Sequence, residues 1–221
     1  MSHEHNEIIL PPTTDVEKAV AEIMAPFCEH GDDEDRDPRA AFWDYYVIGG
    51  RWAGAKTEAS LDPDALASFR RWMTDERVMV SGLQMGKQTL ADAATVQKVD
   101  AKWREMFPGA GPHCTLFDHS NRRDEPLPGD VCKLADLPAR LTAFRVVIAG
   151  PKWDGKGLMA VDMIAERQWN GVTHVKSAWD CNVASAVAAW RERMEKTRSA
   201  EYRASATPAA DWLVVTVDTH T

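Results

Sequence analysis

Apolar and polar positions change period several times along this chain. Glu7 to Leu10 is a short, apolar-tending stretch stopped by Pro11 and Pro12, which predicts a strand. Val16, Val20, Ile23, Met24 and Phe27 then recur at the spacing of one helix face. Thr14, with Glu17 three residues on, predicts a capping box at the start of that helix. Asp62 as cap and Pro63 at the first helical position open a second helix, with Leu66, Phe69 and Met73 on its buried side. A third helix is predicted over 91–107, with Val96, Val99, Trp103 and Met106 on one side and Pro108, Gly109, Gly111 and Pro112 ending it. Residues 113–129 read as a long polar loop.

Further on, 143–150 is a compact β-branched run ending in glycine, and 157–166 is placed to pair with it across PKWDGK. Ser177 and Asp180 offer another capping box, followed by a stripe of Val183, Val187, Trp190 and Met194. The closing WLVVTVDTHT alternates around a Val-rich centre, as a strand inside a sheet does. The expected class is α+β: a split β-α-β-like sheet, antiparallel or mixed, with helices covering one face. One domain over 1–221 is expected, with 30–140 as an inserted subregion. The second strand of the first unit is open between Tyr45–Ile48 and Val78–Val80.

Charge alters the picture of partners. Residues 1–38 hold eleven acids and two bases, a net of −9, while the rest of the chain nets +1. Nonspecific binding to nucleic acid needs a basic footprint, and the chain's only modest basic cluster is at 191–203. The acidic run at 32–37 reads as a solvated loop, or as a docking site for a basic partner or a cation. No apolar run reaches the roughly 18 residues of a membrane span. The N-terminal MSHEHNEIIL lacks the basic-then-apolar pattern of a secretory signal. Cys28, Cys114, Cys132 and Cys181 are widely spread and read as free thiols, so a cytoplasmic setting is expected.

The densest chemistry is in residues 43–54, WDYYVIGGRWAG, with four aromatic rings, one carboxylate, one guanidinium and a glycine pair. Trp43, Tyr45, Tyr46 and Trp52 offer planar surfaces, Arg51 an anion contact, and Gly49 with Gly50 a close backbone approach. The same residues also fit a strand and turn whose rings are core and whose Arg51 pairs with Asp44. No GxGxxG or GxxxxGK[ST] loop follows, so no cofactor is indicated. The pattern W-D-Y-Y-x-I-G-G-R-W-x-G resembles a family of uncharacterised bacterial and phage proteins with a Trp, Asp, aromatic and IGGRW signature. The downstream order, a proline-containing turn at 134–141 and then a Val-rich strand, is also similar. IAGPKWDG after Val147 and the terminal D-T-H-T depart from it. The resemblance implies a phage or mobile-element context and no activity.

Other groups are weaker. His113, Cys114, Asp118 and His119 carry zinc-ligand or Cys–His chemistry, but their spacing is irregular. Asp218 and His220 have the i, i+2 spacing that shares a strand face. With Asp44 they are the candidate acid–base residues. His3 and His5 share that spacing but fall in an expected flexible tail. Asp154, Asp162 and Asp180 read as turn and cap residues, and Trp153, Trp169 and Trp179 as sheet cover. The leading expectation is a noncatalytic recognition or interaction protein binding a small planar anion or a protein segment. The alternative is a small hydrolase or transferase acting on a nucleotide or another phosphorylated substrate.

Overall fold

The computed structural model describes residues 3–29, 43–76, 83–84, 87–88, 93–111, 113, 129–151, 158–162, 181–197, 200, 203–204 and 207–220. The first strand, β1 (His3–Leu10), starts earlier than its apolar end suggests, and is followed by α1 (Val16–Met24). Then come β2 (Tyr45–Ile48), a 3₁₀ turn Gly50–Trp52, α2 (Ala55–Ser60) and α3 (Pro63–Asp75). Two short strands, β3 (Leu83–Gln84) and β4 (Lys87–Gln88), form their own hairpin before α4 (Ala93–Met106). The chain continues through β5 (Val131–Lys133), β6 (Thr142–Ala143), β7 (Arg145–Pro151), β8 (Leu158–Asp162) and β9 (Cys181–Asn182). It ends with α5 (Val183–Thr197) and β10 (Leu213–His220).

The protein is α+β with a mixed sheet in the order β2–β10–β1–β7–β8. β1 pairs parallel with β7 and antiparallel with β10, while β7 and β8 form a hairpin. β8 and β10 therefore run the same way with β1 and β7 between them, and α5 lies between them in sequence. The strand partner that the first helix leads to is β7, directly beside β1. Tyr45–Ile48 instead pairs along β10, and β5 pairs with the other end of β10 on the same side. Val78–Val80 lie outside the described residues. Two strands of the 30–140 stretch, β2 and β5, are thus built into the main sheet.

Helices cover both sheet faces, not one. Ile8, Leu10, Val147, Ala149, Val215 and Val217 face Val20, Ile23 and Met24 of α1. Ile9, Val146, Ile148 and Val214 face Val183, Ala186, Val187, Trp190 and Met194 of α5, with Ala55 and Ala59 of α2 packed alongside. The reason is alternation: β1 and β10 are apolar at consecutive positions in their buried halves, so both faces need cover. Each fully buried aliphatic side chain contributes about 1.5–3 kcal/mol. A third cluster of Phe69, Val99, Trp103 and Phe107 joins α3 to α4.

Two caps shift from their sequence positions. Asp15, not Thr14, caps α1, accepting from the Lys18 backbone N–H at 3.0 Å. Asn182 caps α5, accepting from the Ser185 N–H at 2.9 Å. The Ser177 and Asp180 pair lies outside the described residues, as do Asp154, Trp153, Trp169 and Trp179. Asp62 caps α3 as its sequence indicates, accepting from the Ala65 N–H at 2.8 Å.

Candidate functional site

Alternation continues past the apolar halves of β1 and β10, with polar side chains in place of apolar ones. On the face covered by α2, β1 presents Glu7, His5 and His3 in turn, and β10 presents Thr216, Asp218 and His220. The register sets them in direct cross-strand pairs: Glu7 with Thr216, His5 with Asp218, His3 with His220. On the next strand, Tyr45 of β2 lies opposite His220 and Val47 opposite Asp218. Three transverse rows result, grading from sealed to accessible.

The inner row is a closed ionic network. Glu7 is 0% exposed and Lys56 of α2 is 4% exposed. Lys56 Nζ donates to Glu7 Oε2 at 2.8 Å, to the Asp130 carbonyl at 3.1 Å, and to Thr216 Oγ1. Glu7 Oε1 accepts from His5 Nε2 and from the Thr216 hydroxyl, each at 2.8 Å. Burial alone would raise the Glu7 carboxyl. The Lys56 charge and the His5 hydrogen bond outweigh it, so the group is held below the usual carboxylate range. All three ammonium protons of Lys56 are committed, so the lysine is a structural cation and not a free nucleophile.

The middle row is capped by the Gly50–Trp52 turn. The Trp52 ring stacks on His5 at 5.1 Å and 13°. The Arg51 backbone N–H donates to Asp218 Oδ2 at 2.9 Å. Gly49 and Gly50 take φ of +75° and +53°, and a Cβ on either would overlap the side chain of Asp130 or Asp218 respectively. The glycine pair therefore admits two carboxylates of the same chain. Asp130 Oδ1 also accepts from the Gly54 N–H at 3.1 Å, which ties this loop to the start of α2.

The outer row is the accessible one. Tyr45 is 55% exposed, and the His3 and His220 side chains are 25% and 18% exposed. His3 Nδ1 pairs with Asp218 Oδ1 at 3.0 Å, and His220 Nδ1 pairs with Asp44 Oδ1 at 2.7 Å. An ionised carboxylate only accepts, so Nδ1 carries the proton in both rings and Nε2 is the other nitrogen. The hydrogen bond from His220 holds the Asp44 carboxyl below its usual range, against some burial. The two imidazoles meet edge to face with centroids 5.1 Å apart.

The sequence candidates separate into two sets. Trp43 and Tyr46 pack edge to face at 4.9 Å on the α1 face, where the Trp43 Nε1–H donates to the Met24 carbonyl at 2.9 Å. Tyr45, Arg51 and Trp52, with Gly49 and Gly50, belong to the loop and strand end around the histidine rows. Asp44 pairs with His220 and not with Arg51, because the Asp44 N–H is bonded to the His220 carbonyl, which sets the two residues side by side where β2 joins β10. Asp218 and His220 share a face as expected, yet each pairs across to another element. His113 packs among Phe69 and Trp103, at 5.2 and 4.6 Å between ring centroids. Cys114, Asp118 and His119 lie outside the described residues. Among the described residues, no group of three or more His, Cys, Asp or Glu is placed to hold a metal.

Glu7, Lys56, Asp130, His3 and His5 were not expected at a site. For the β1 residues a signal existed: H-x-H-x-E at period two leads straight into Ile8–Ile9–Leu10. Polar side chains at strand period beside a core stretch mark a polar stripe on one face. Lys56 and Asp130 carry no local signal, since only the tertiary fold brings them to Glu7.

No known family, no curated protein and no solved structure matches this chain.

Proposed function

We propose that the outer row is a recognition site for a small anion attached to a planar group. The carrying observation is a surplus of donors on the Gly50–Trp52 turn beside it. The nearby carboxylates, Asp44 and Asp218, are both engaged by imidazoles. The Arg51 guanidinium pairs with no described residue, and the Trp52 Nε1–H, buried over the middle row, donates to none. In this reading Arg51 takes the anion, His220 and His3 present their Nε2 atoms, and exposed Tyr45 supplies a flat apolar surface. Gly49 and Gly50 act indirectly, by letting Asp130 and Asp218 hold the loop that carries Arg51.

The resemblance of the IGGRW segment adds a phage or mobile-element setting to this proposal and no ligand. Calorimetric titration of the full chain with nucleoside monophosphates, cyclic nucleotides and aromatic carboxylates, against the neutral nucleosides, tests it. The anions are expected to bind and the neutral nucleosides to bind at least tenfold more weakly. Arg51→Ala should weaken the anions by roughly tenfold or more, the loss of one charge-assisted contact of about 1.5–3 kcal/mol. No heat from any anion, or equal binding by the Arg51→Ala protein, would overturn the reading.

A further inference from the structure

Resting on that reading, we propose that His3 and His220 are an acid–base pair that hydrolyses a phosphodiester carrying a planar base. Each imidazole is oriented by a carboxylate on Nδ1, Asp218 for His3 and Asp44 for His220. That leaves Nε2 of both rings as the atom able to take or give a proton, and neither has a described partner there. The rings come from adjacent strands in direct register, 5.1 Å apart.

The substrate class follows from charge and from what the row lacks. Among the described residues of the turn and the row, Arg51 is the cation without a carboxylate partner, and one such charge matches the single negative charge of a diester better than the double charge of a monoester. The nucleophile in this proposal is water. One neutral imidazole takes a proton from water at Nε2 as the water oxygen bonds to phosphorus. The phosphorus–oxygen bond to the leaving alcohol breaks with its electron pair, and the second imidazole, protonated, gives its Nε2 proton to that oxygen. The products are a phosphomonoester and an alcohol, and the two rings have exchanged protonation states. Solvent resets them. Asp44 and Asp218 are positioning residues: they fix the tautomer and steady the imidazolium that forms.

The test uses the full chain with 2′,3′- and 3′,5′-cyclic nucleotides in water enriched in oxygen-18, with products followed by phosphorus NMR. Turnover with one heavy oxygen entering the phosphate is expected. His3→Gln and His220→Gln should each lower kcat at least about 100-fold, a larger loss than the weakening of cyclic-nucleotide affinity that removal of one imidazole contact brings. Asp44→Asn should lower kcat with little effect on KM, and shift one limb of the pH profile of activity, which a merely structural role would not do. Binding without turnover would overturn the acid–base pair and leave the recognition reading standing. Absence of binding would overturn both. Turnover retained in both glutamine variants, with their fold checked by near-ultraviolet circular dichroism, would overturn the pair alone.

Discussion

Glu7 gives up all contact with water in the folded chain and keeps its charge only because Lys56, His5 and Thr216 replace the solvent. Removing one partner of such a pair leaves the other charge buried and unmatched. Lys56→Met is therefore expected to cost roughly 3–5 kcal/mol in urea unfolding. A double Glu7→Leu, Lys56→Met change should recover much of that. The pH dependence has a definite sign. The folded Glu7 carboxyl lies below its usual value, so the unfolded chain takes up the proton first on acidification. The stability from this group is full above the ordinary glutamate value of about 4.3, and is lost as pH falls through the lower folded value. Urea midpoints followed down from pH 7 should drop more steeply in the native protein than in Glu7→Gln; equal slopes would contradict this. Gly50 is the second residue with little choice. Its positive φ and the Asp218 side chain beside it leave no room for a Cβ. Gly50→Ala should lower stability by roughly 2–4 kcal/mol and free the Arg51 N–H from Asp218, visible as a shifted His3 imidazole resonance. The sequence announces that a glycine is needed there. What approaches it is a carboxylate 168 positions away in the chain, which no local pattern encodes.

Helix stripes were the most legible elements, because period 3.6 is a local property and the core only has to accept it. Val183, Val187, Trp190 and Met194 are all buried on one side of α5, as their spacing indicates. Caps were less legible. Thr14 and Asp15 are both able capping residues, and the hydrogen bond to the Lys18 N–H falls to Asp15 by one position. The α3–α4 pair carries its own cluster, Phe69 with Trp103, Phe107 and Val99, apart from the two clusters on the sheet. An element with a separate core can open separately. Phe69→Ala is expected to cost about 3–5 kcal/mol locally. Hydrogen exchange should then rise across α3 and α4 while β1 and β10 stay protected. Loss of protection in β1 and β10 to the same extent would show that the cluster is continuous with the sheet.

For the whole molecule, charge is the property the sequence fixes without help, and the near-neutral body with its acidic N-terminal part argues against a phosphate backbone as partner. Mixed DNA and RNA at 50 mM salt should bind weakly or not at all; tight, steeply salt-dependent binding would reveal a basic face that the counts miss. Among the described residues, no helix is long and apolar enough to cross a membrane. The α+β class, the terminal strand, and the β7–β8 hairpin were also readable, since each rests on short-range periodicity and turn residues. Strand order was not. β1, β2, β5, β7 and β10 are comparable short apolar runs, and only their mutual packing makes β10 the strand that β1, β2 and β5 all join. The site follows the same division. By itself the chain determined which side chains are chemically able: Asp44, Arg51, Asp218 and His220 stand out by type and spacing. Tertiary structure alone decided the pairing of His3 with Asp218 and of His220 with Asp44, the sealing of Glu7 with Lys56, and the parting of Trp43 and Tyr46 from Tyr45. The physical reason is that alternation sends neighbouring side chains to opposite sheet faces, while register brings together residues more than two hundred positions apart.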